Sequence, residues 1–249
     1  MNEEKRATRT IYDSAGEELA RKTVRMFYDR LAGLSDEFET VVVSLSGGRS
    51  VQRFYRLIPE YADRLSREVW KSVHFFWTDE RLVPPDSSES NYKLARDLFL
   101  LELIQQGDLD RANVHSFPGD TSSPEVALKN YSAELTRVSD GVVHLPILGV
   151  GGDGHIGSLF PGRPQLDDRE SEFVLVRDAP KPPDRRISLA PSAIRRSINP
   201  TLFFLGEEKL GAYECFRDND RTYRDCPCKL ALAGSEGDCY VITDLQNPD

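Results

Sequence analysis

No run of apolar residues in this sequence approaches the ~20 needed to span a bilayer. The opening MNEEKRATRTIYDSAGEELARK also lacks the apolar stretch of a signal peptide, so the expected location is the cytoplasm, with no membrane partner. There is no dense basic block either. The 32 Lys and Arg are scattered and outnumbered by 41 Asp and Glu, a formal charge of −9, which argues against nucleic acid as a partner. An anionic small molecule stays open, because a pocket can be positive on an acidic protein.

Cysteine is scarce. Cys215, Cys226, Cys228 and Cys239 all fall near the end, and Cys226-Pro-Cys228 is too tightly spaced for a C-x2-C zinc knuckle. They read as reduced thiols in or near a C-terminal core, with no metal expected. The Walker A pattern, G-x-G-x-x-G and the G-x-S-x-G elbow are all missing, which disfavours nucleotide binding and a serine nucleophile. No internal repeat or low-complexity linker breaks the chain, so its 249 residues are expected to form one α/β domain.

Apolar residues at Ala15, Leu19, Ala20, Val24, Phe27 and Leu31 predict a helix beginning near Ile11 and stopping at Gly33. Thr40–Leu45 is too apolar to have a wet face and predicts a central parallel strand. Further strands are expected at Val73–Trp77, Val142–Val150, Phe173–Val176, Ile187–Leu189 and Thr201–Leu205. Helices are expected over Val51–Leu57, after Tyr92 with Leu94, Leu98 and Leu101 on one face, over Pro124–Val138, and from Glu207; Lys229–Ala233 and Tyr240–Thr243 close the chain. Strands alternating with helices indicate a doubly wound, mainly parallel sheet with helices on both faces.

Ligands of such sheets sit beyond the carboxyl ends of strands, and three polar loops lie there. In Ser46-Gly47-Gly48-Arg49-Ser50, the glycines let backbone amides face a ligand at a helix start, a geometry that suits phosphate. Thr78-Asp79-Glu80-Arg81 opens a long polar loop whose composition reads as solvated, with a local ion pair. The third, Gly149 to Gly162, has six glycines around Asp153 and His155. Imidazole, with an ordinary pKa near ~6.5, is the natural proton acceptor at neutral pH, and a nearby carboxylate can orient it.

SGGRS, TDERLVPPDSSESNY, Asn113-Val114-His115 with Pro118-Gly119, ILGVGGDGHIGSLFPG and KPPDRRISL resemble, in the same order, the motifs of the 6-phosphogluconolactonases. The resemblance implies a fold related to glucosamine-6-phosphate deaminase and ribose-5-phosphate isomerase. It also implies hydrolysis of 6-phospho-D-glucono-1,5-lactone to 6-phosphogluconate in the oxidative pentose phosphate pathway, with no metal or organic cofactor. On this reading His155 is the base, Asp153 supports it, and Arg81 meets the oxyanion or substrate oxygens. Gly47, Gly48, Arg49, Ser50, Asp79, Lys181 and Arg186 hold the substrate and its phosphate.

The chain departs from the family pattern at three places. Arg49-Ser50-Val51 replaces Ser-Thr-Pro, Ile156 replaces Thr, and Val143-His144 replaces Phe-Asp. Ile156 leans toward a glucosamine-6-phosphate deaminase, but Ser158-Leu159-Phe160-Pro161 stands where that class needs Phe-Asn-Glu-Pro. A sugar-phosphate sensor without turnover is the non-enzymatic alternative.

Overall fold

A computed structural model describes residues 6–234 and 236–246. Its centre is a six-stranded sheet in the order β1-β9-β8-β5-β2-β3, in which every neighbouring pair runs parallel. The strands are β1 (Thr8–Tyr12), β2 (Val41–Leu45), β3 (Val73–Trp77), β5 (Leu145–Gly149), β8 (Thr201–Phe204) and β9 (Cys239–Thr243). A second sheet, antiparallel, is built from β4 (Asp79–Arg81), β7 (Arg186–Leu189) and β6 (Phe173–Val176).

β2 shows why the main sheet needs cover on both sides. Val41, Val43 and Leu45 enter one apolar cluster while Val42 enters the other, and all five residues of the strand are buried. The first cluster is closed by α1 (Gly16–Glu37), α2 (Gln52–Leu57), α3 (Arg67–Ser72), α4 (Asn91–Ala95) and α5 (Leu101–Gln106). The second is closed by α6 (Pro124–Ser139), α7 (Pro191–Arg196) and α8 (Leu210–Arg217). Between α4 and α5 the chain makes one π-helical turn, Arg96–Leu100.

Several expectations are corrected. β1 was not foreseen: TRTIY lies at the sheet edge with only Ile11 packed on the core, so no period-2 pattern marks it. The helix accordingly begins at Gly16, and it passes through Gly33 because Leu34 is still buried on the same face. β5 starts at Leu145 rather than Val142, and Pro227–Leu232 is a 3-10 helix.

The loop after β3 is exposed at its tip, from Pro84 to Glu89, and Arg81 pairs with Glu89 there, but its start is not solvated. Asp79 and Glu80 are buried, and the Glu80 carboxylate accepts from the backbone N–H of Arg81, Asn91 and Tyr92 and from the Ser90 hydroxyl, at 2.7–3.0 Å. It thereby ties the strand start to the N-terminus of α4. Burial raises its pKa, and the three backbone donors oppose that rise.

His144 also acquires a physical reason. Its Nδ1 accepts from the Val42 N–H at 3.0 Å, and its ring packs edge-on against Phe38. Burial pushes its pKa down to about 4. His115 is likewise pushed down to about 4, by burial and by His74, with Glu134 opposing. A histidine whose folded pKa lies below its unfolded value of ~6.5 binds fewer protons when folded, so its contribution is full above ~6.5 and is lost as pH falls. The urea midpoint should therefore drop between about pH 6.5 and pH 4. His144→Asn, which keeps an acceptor for Val42 but does not titrate, should flatten that slope; an unchanged slope would assign it elsewhere.

Candidate active site

β2 leads out to β3 on one side, and β5 leads to β8 and β9 on the other, so the chain reverses its direction of travel between β2 and β5. At the carboxyl ends of those strands lies a cleft of about 490 Å³. Six cationic side chains line it: Arg49, Arg53, Arg81, Lys181, Arg186 and Lys209. The protein as a whole is acidic, so the cleft concentrates positive charge locally.

Residues 46–50 follow β2. A Cβ on Gly47 would fall 1.8 Å from Asn91 Oδ1, so only glycine lets Asn91 pack against this turn, and Gly48 has a φ of +92°. Asn91 Nδ2 donates to the Asp79 carbonyl at 2.8 Å and to Asp79 Oδ1 at 3.2 Å. The other carboxylate oxygen of Asp79 accepts from Ser158 Oγ at 2.8 Å. Asp79 thus sits in the cleft wall and ties Asn91, which packs against Gly47, to Ser158 of the glycine loop. The Ser46 hydroxyl is buried at the cleft without a hydrogen-bond partner in the protein.

In the glycine loop, His155 Nδ1 and Asp153 Oδ1 are 2.5 Å apart. Burial disfavours the Asp153 carboxylate, but the hydrogen bond and charge of His155 prevail and hold its pKa down at about 2. The ring lies over Gly151, where a Cβ would come within 2.0 Å of Nδ1, and it packs on Phe160 with centroids 4.7 Å apart. Nδ1 is committed to Asp153, which leaves Nε2 as the nitrogen available to a ligand. Ile156 is fully buried in the second core cluster. Its departure from Thr is a packing choice that does not alter the cleft lining.

Arg81 donates from Nη1 to the Glu89 carbonyl at 2.6 Å, and its Nε is buried without a partner. Arg186 is buried, and its Nε and Nη2 donate to the carbonyls of Pro183 and Lys181, both at 2.7 Å. It therefore shapes the loop that presents Lys181, which is itself exposed. Arg49 is also exposed and stands 3.5 Å from Glu208.

All ten residues singled out in the sequence lie at this end of the sheet, and all but Asp153 line the cleft itself. Lys209, Arg53 and Asn91 were missed. Lys209 and Arg53 sit on helical segments whose charge pattern marks only a solvated face, and Asn91 reads from sequence as a loop residue. Burial lowers the Lys209 pKa, Glu208 opposes this, and the nearby Arg49 and Lys181 add to the lowering. An anion entering the cleft would relieve that repulsion. Among the described residues, no group of three or more His, Cys, Asp or Glu side chains could hold a metal ion, and no helix is long and apolar enough to cross a membrane.

Residues 14–241 match the family model described as glucosamine-6-phosphate isomerases/6-phosphogluconolactonase. A probable chloroplastic 6-phosphogluconolactonase 4 of Oryza sativa is 33% identical over 94% of this chain and 74% of its own length. The 6-phosphogluconolactonase of Borreliella burgdorferi is 29% identical over 90% of this chain and 92% of its own. Among solved structures, the 6-phosphogluconolactonase of Trypanosoma brucei superposes with a TM-score of 0.79 at 23% identity, covering 96% of each chain. A monomeric glucosamine-6-phosphate deaminase superposes with a TM-score of 0.75 at 19% identity, covering 94% of this chain and 96% of its own, so the fold is shared by both activities. With a family model spanning nearly the whole sequence and a curated relative a third identical to it, this chain belongs to the glucosamine-6-phosphate isomerase/6-phosphogluconolactonase family.

Proposed function

We propose that the protein hydrolyses 6-phospho-D-glucono-1,5-lactone to 6-phosphogluconate. The observation that carries this reading is the His155–Asp153 pair at the edge of a cleft lined by six cations. The relatives' names support the lactone as substrate. Against a deaminase, Ser158-Leu159-Phe160-Pro161 stands where that class needs Phe-Asn-Glu-Pro.

The lactone carbonyl is already electrophilic, so the site has three tasks: orient a water, take its proton, and stabilise the oxyanion. His155 Nε2 accepts the proton as the water oxygen bonds to the carbonyl carbon. Asp153 holds the other ring nitrogen and stabilises the imidazolium that forms. Collapse of the tetrahedral intermediate breaks the bond to the ring oxygen, which takes the proton back from His155. Arg81 stands for the oxyanion or the sugar oxygens. The amides of Gly47 and Gly48 with Ser50 meet the phosphate, and Lys181, Lys209 and Arg49 supply charge. Asp79 and Arg186 act by positioning, the first through Asn91 and Ser158 and the second through the Lys181 loop.

The direct test is to add the protein to freshly generated 6-phosphogluconolactone and follow acid release against the uncatalysed rate. An unchanged rate with retained binding would favour the sensor. Loss of a general base costs about 10² to 10⁴ in rate, so His155→Ala should lower kcat by that order, and more than a tenth of kcat remaining would end the assignment. Asp153→Asn should cost less, because the acceptor nitrogen survives.

Lys209→Ala should raise KM for the phosphorylated lactone and leave KM for plain gluconolactone unchanged, because the latter brings no charge to pair with. Equal loss on both substrates would place Lys209 away from the phosphate.

A further inference from the structure

Three thiols meet behind the glycine loop, and none of them lines the cleft. Cys215 lies on α8 and is partly exposed, whereas Cys226 and Cys228 are fully buried. The Sγ atoms of Cys226 and Cys228 are 3.3 Å apart, and Cys215 is near enough to Cys226 for each to shift the other's pKa. The fourth cysteine, Cys239, is buried in β9.

The same two buried residues grip Gly154, the residue between Asp153 and His155. A Cβ on Gly154 would lie 2.9 Å from Cys226 Sγ, so the sulfur rests directly against that backbone. From the adjoining turn, the Cys228 N–H donates to the Gly154 carbonyl at 2.9 Å. Gly154 has a φ of +83°, so the loop has no side chain there to cushion a displacement.

We propose that Cys226 and Cys228 form a redox-active dithiol that hydrogen peroxide converts to a disulfide, and that closing this bond displaces Gly154 and the Asp153–His155 pair with it. The effect on turnover rests on the function proposed above; the bond itself does not.

The chemistry balances with peroxide as the oxidant. The Cys226 thiolate bonds to one peroxide oxygen as the O–O bond breaks, giving a sulfenic acid and a hydroxide that becomes water. The Cys228 sulfur then attacks the Cys226 sulfur. The S–S bond forms, the S–O bond breaks, and the Cys228 proton leaves with the hydroxide as a second water. Two thiols are oxidised and both peroxide oxygens are reduced.

The thiolate is available, since hydrogen bonding from Cys228 and then from Cys215 outweighs burial and holds the Cys226 pKa down at about 7. Cys228 is pushed well up by burial and keeps its proton, as a resolving thiol should. Cys215 is the partly exposed thiol of the cluster, so peroxide, little larger than water, would have to enter on that side.

A disulfide needs an S–S separation of about 2.05 Å, so the pair must close by more than an ångström. Misplacing a catalytic group by about 1 Å can cost as much as ~10² in rate.

Trypsin separates the possibilities, because cleavage after Arg224 and Lys229 leaves Cys226 and Cys228 in one peptide and Cys215 in another, 210–217. After peroxide treatment and alkylation of remaining thiols, peptide 225–229 should be lighter by two hydrogens and unalkylated. Lactonase turnover should fall by roughly tenfold or more and return with dithiothreitol. Cys228→Ser, or Cys228→Ala should serine disturb folding, should show neither the mass loss nor the reversible drop.

Both cysteines alkylated in the wild type, or a cross-link to peptide 210–217 instead, would overturn the dithiol. A reversible drop that persists in both Cys228 variants would overturn it too. A disulfide formed with turnover intact would overturn the coupling to Gly154. Failure of His155→Ala to lower kcat would count against the base assignment alone, leaving the mass result to judge the bond.

Discussion

The parallel sheet is the constraint on which everything else depends. Six strands running the same way send every strand exit to one end, and burial of both faces forces a covering helix into each connection. Between β2 and β5 the connections part to opposite sides and open a crevice. Residues 46–50 and the glycine loop that runs on from Gly149, the last residue of β5, flank that crevice because they follow directly on those two strands. The cleft is a consequence of topology before any side chain is chosen.

What keeps the loops in place is a set of buried polar ties. Asp79 links Asn91 to Ser158, and Glu80 gathers four donors, three of them at the start of α4. A buried carboxylate is costly unless its oxygens are satisfied, so the ties hold only while the loops are correctly placed. Glycine makes the approaches possible: at Gly47 and Gly151 a Cβ would overlap Asn91 and the His155 ring. Side chains that a solvated reading gives to water are here the frame of the site.

The charge pattern separates the cleft from the rest of the surface. A protein of formal charge −9 gathers six cations around one crevice, where burial and mutual repulsion weigh on Lys209. Such a cavity suits a small phosphorylated ligand, and it leaves the outer surface unsuited to a polyanion. Arg186 shows that a cation at the cleft can act without meeting a ligand, by fixing the carbonyls of the loop that carries Lys181.

The sequence by itself determined the sheet's inner strands, most of the helices and the loops that line the cleft. β-branched and aromatic runs such as VVVSL and VHFFW have no wet face, and glycines around Asp153 and His155 serve no core. The edge strand β1 escaped notice because one packed residue, Ile11, leaves no pattern. Which loops would meet, and by what means, only the tertiary structure decided. Asp79 and Ser158 are 79 positions apart, and nothing local marks either as the other's partner. Lys209, Arg53 and Asn91 look like surface residues until the sheet brings their segments to one crevice. The cysteines, legible only as reduced thiols of a core, become a cluster against Gly154 once α8 and the turn at Pro227 pack together. The physical reason is the same throughout: periodicity and composition report which face of an element is buried, whereas contacts between distant segments arise only when the chain has closed its loops.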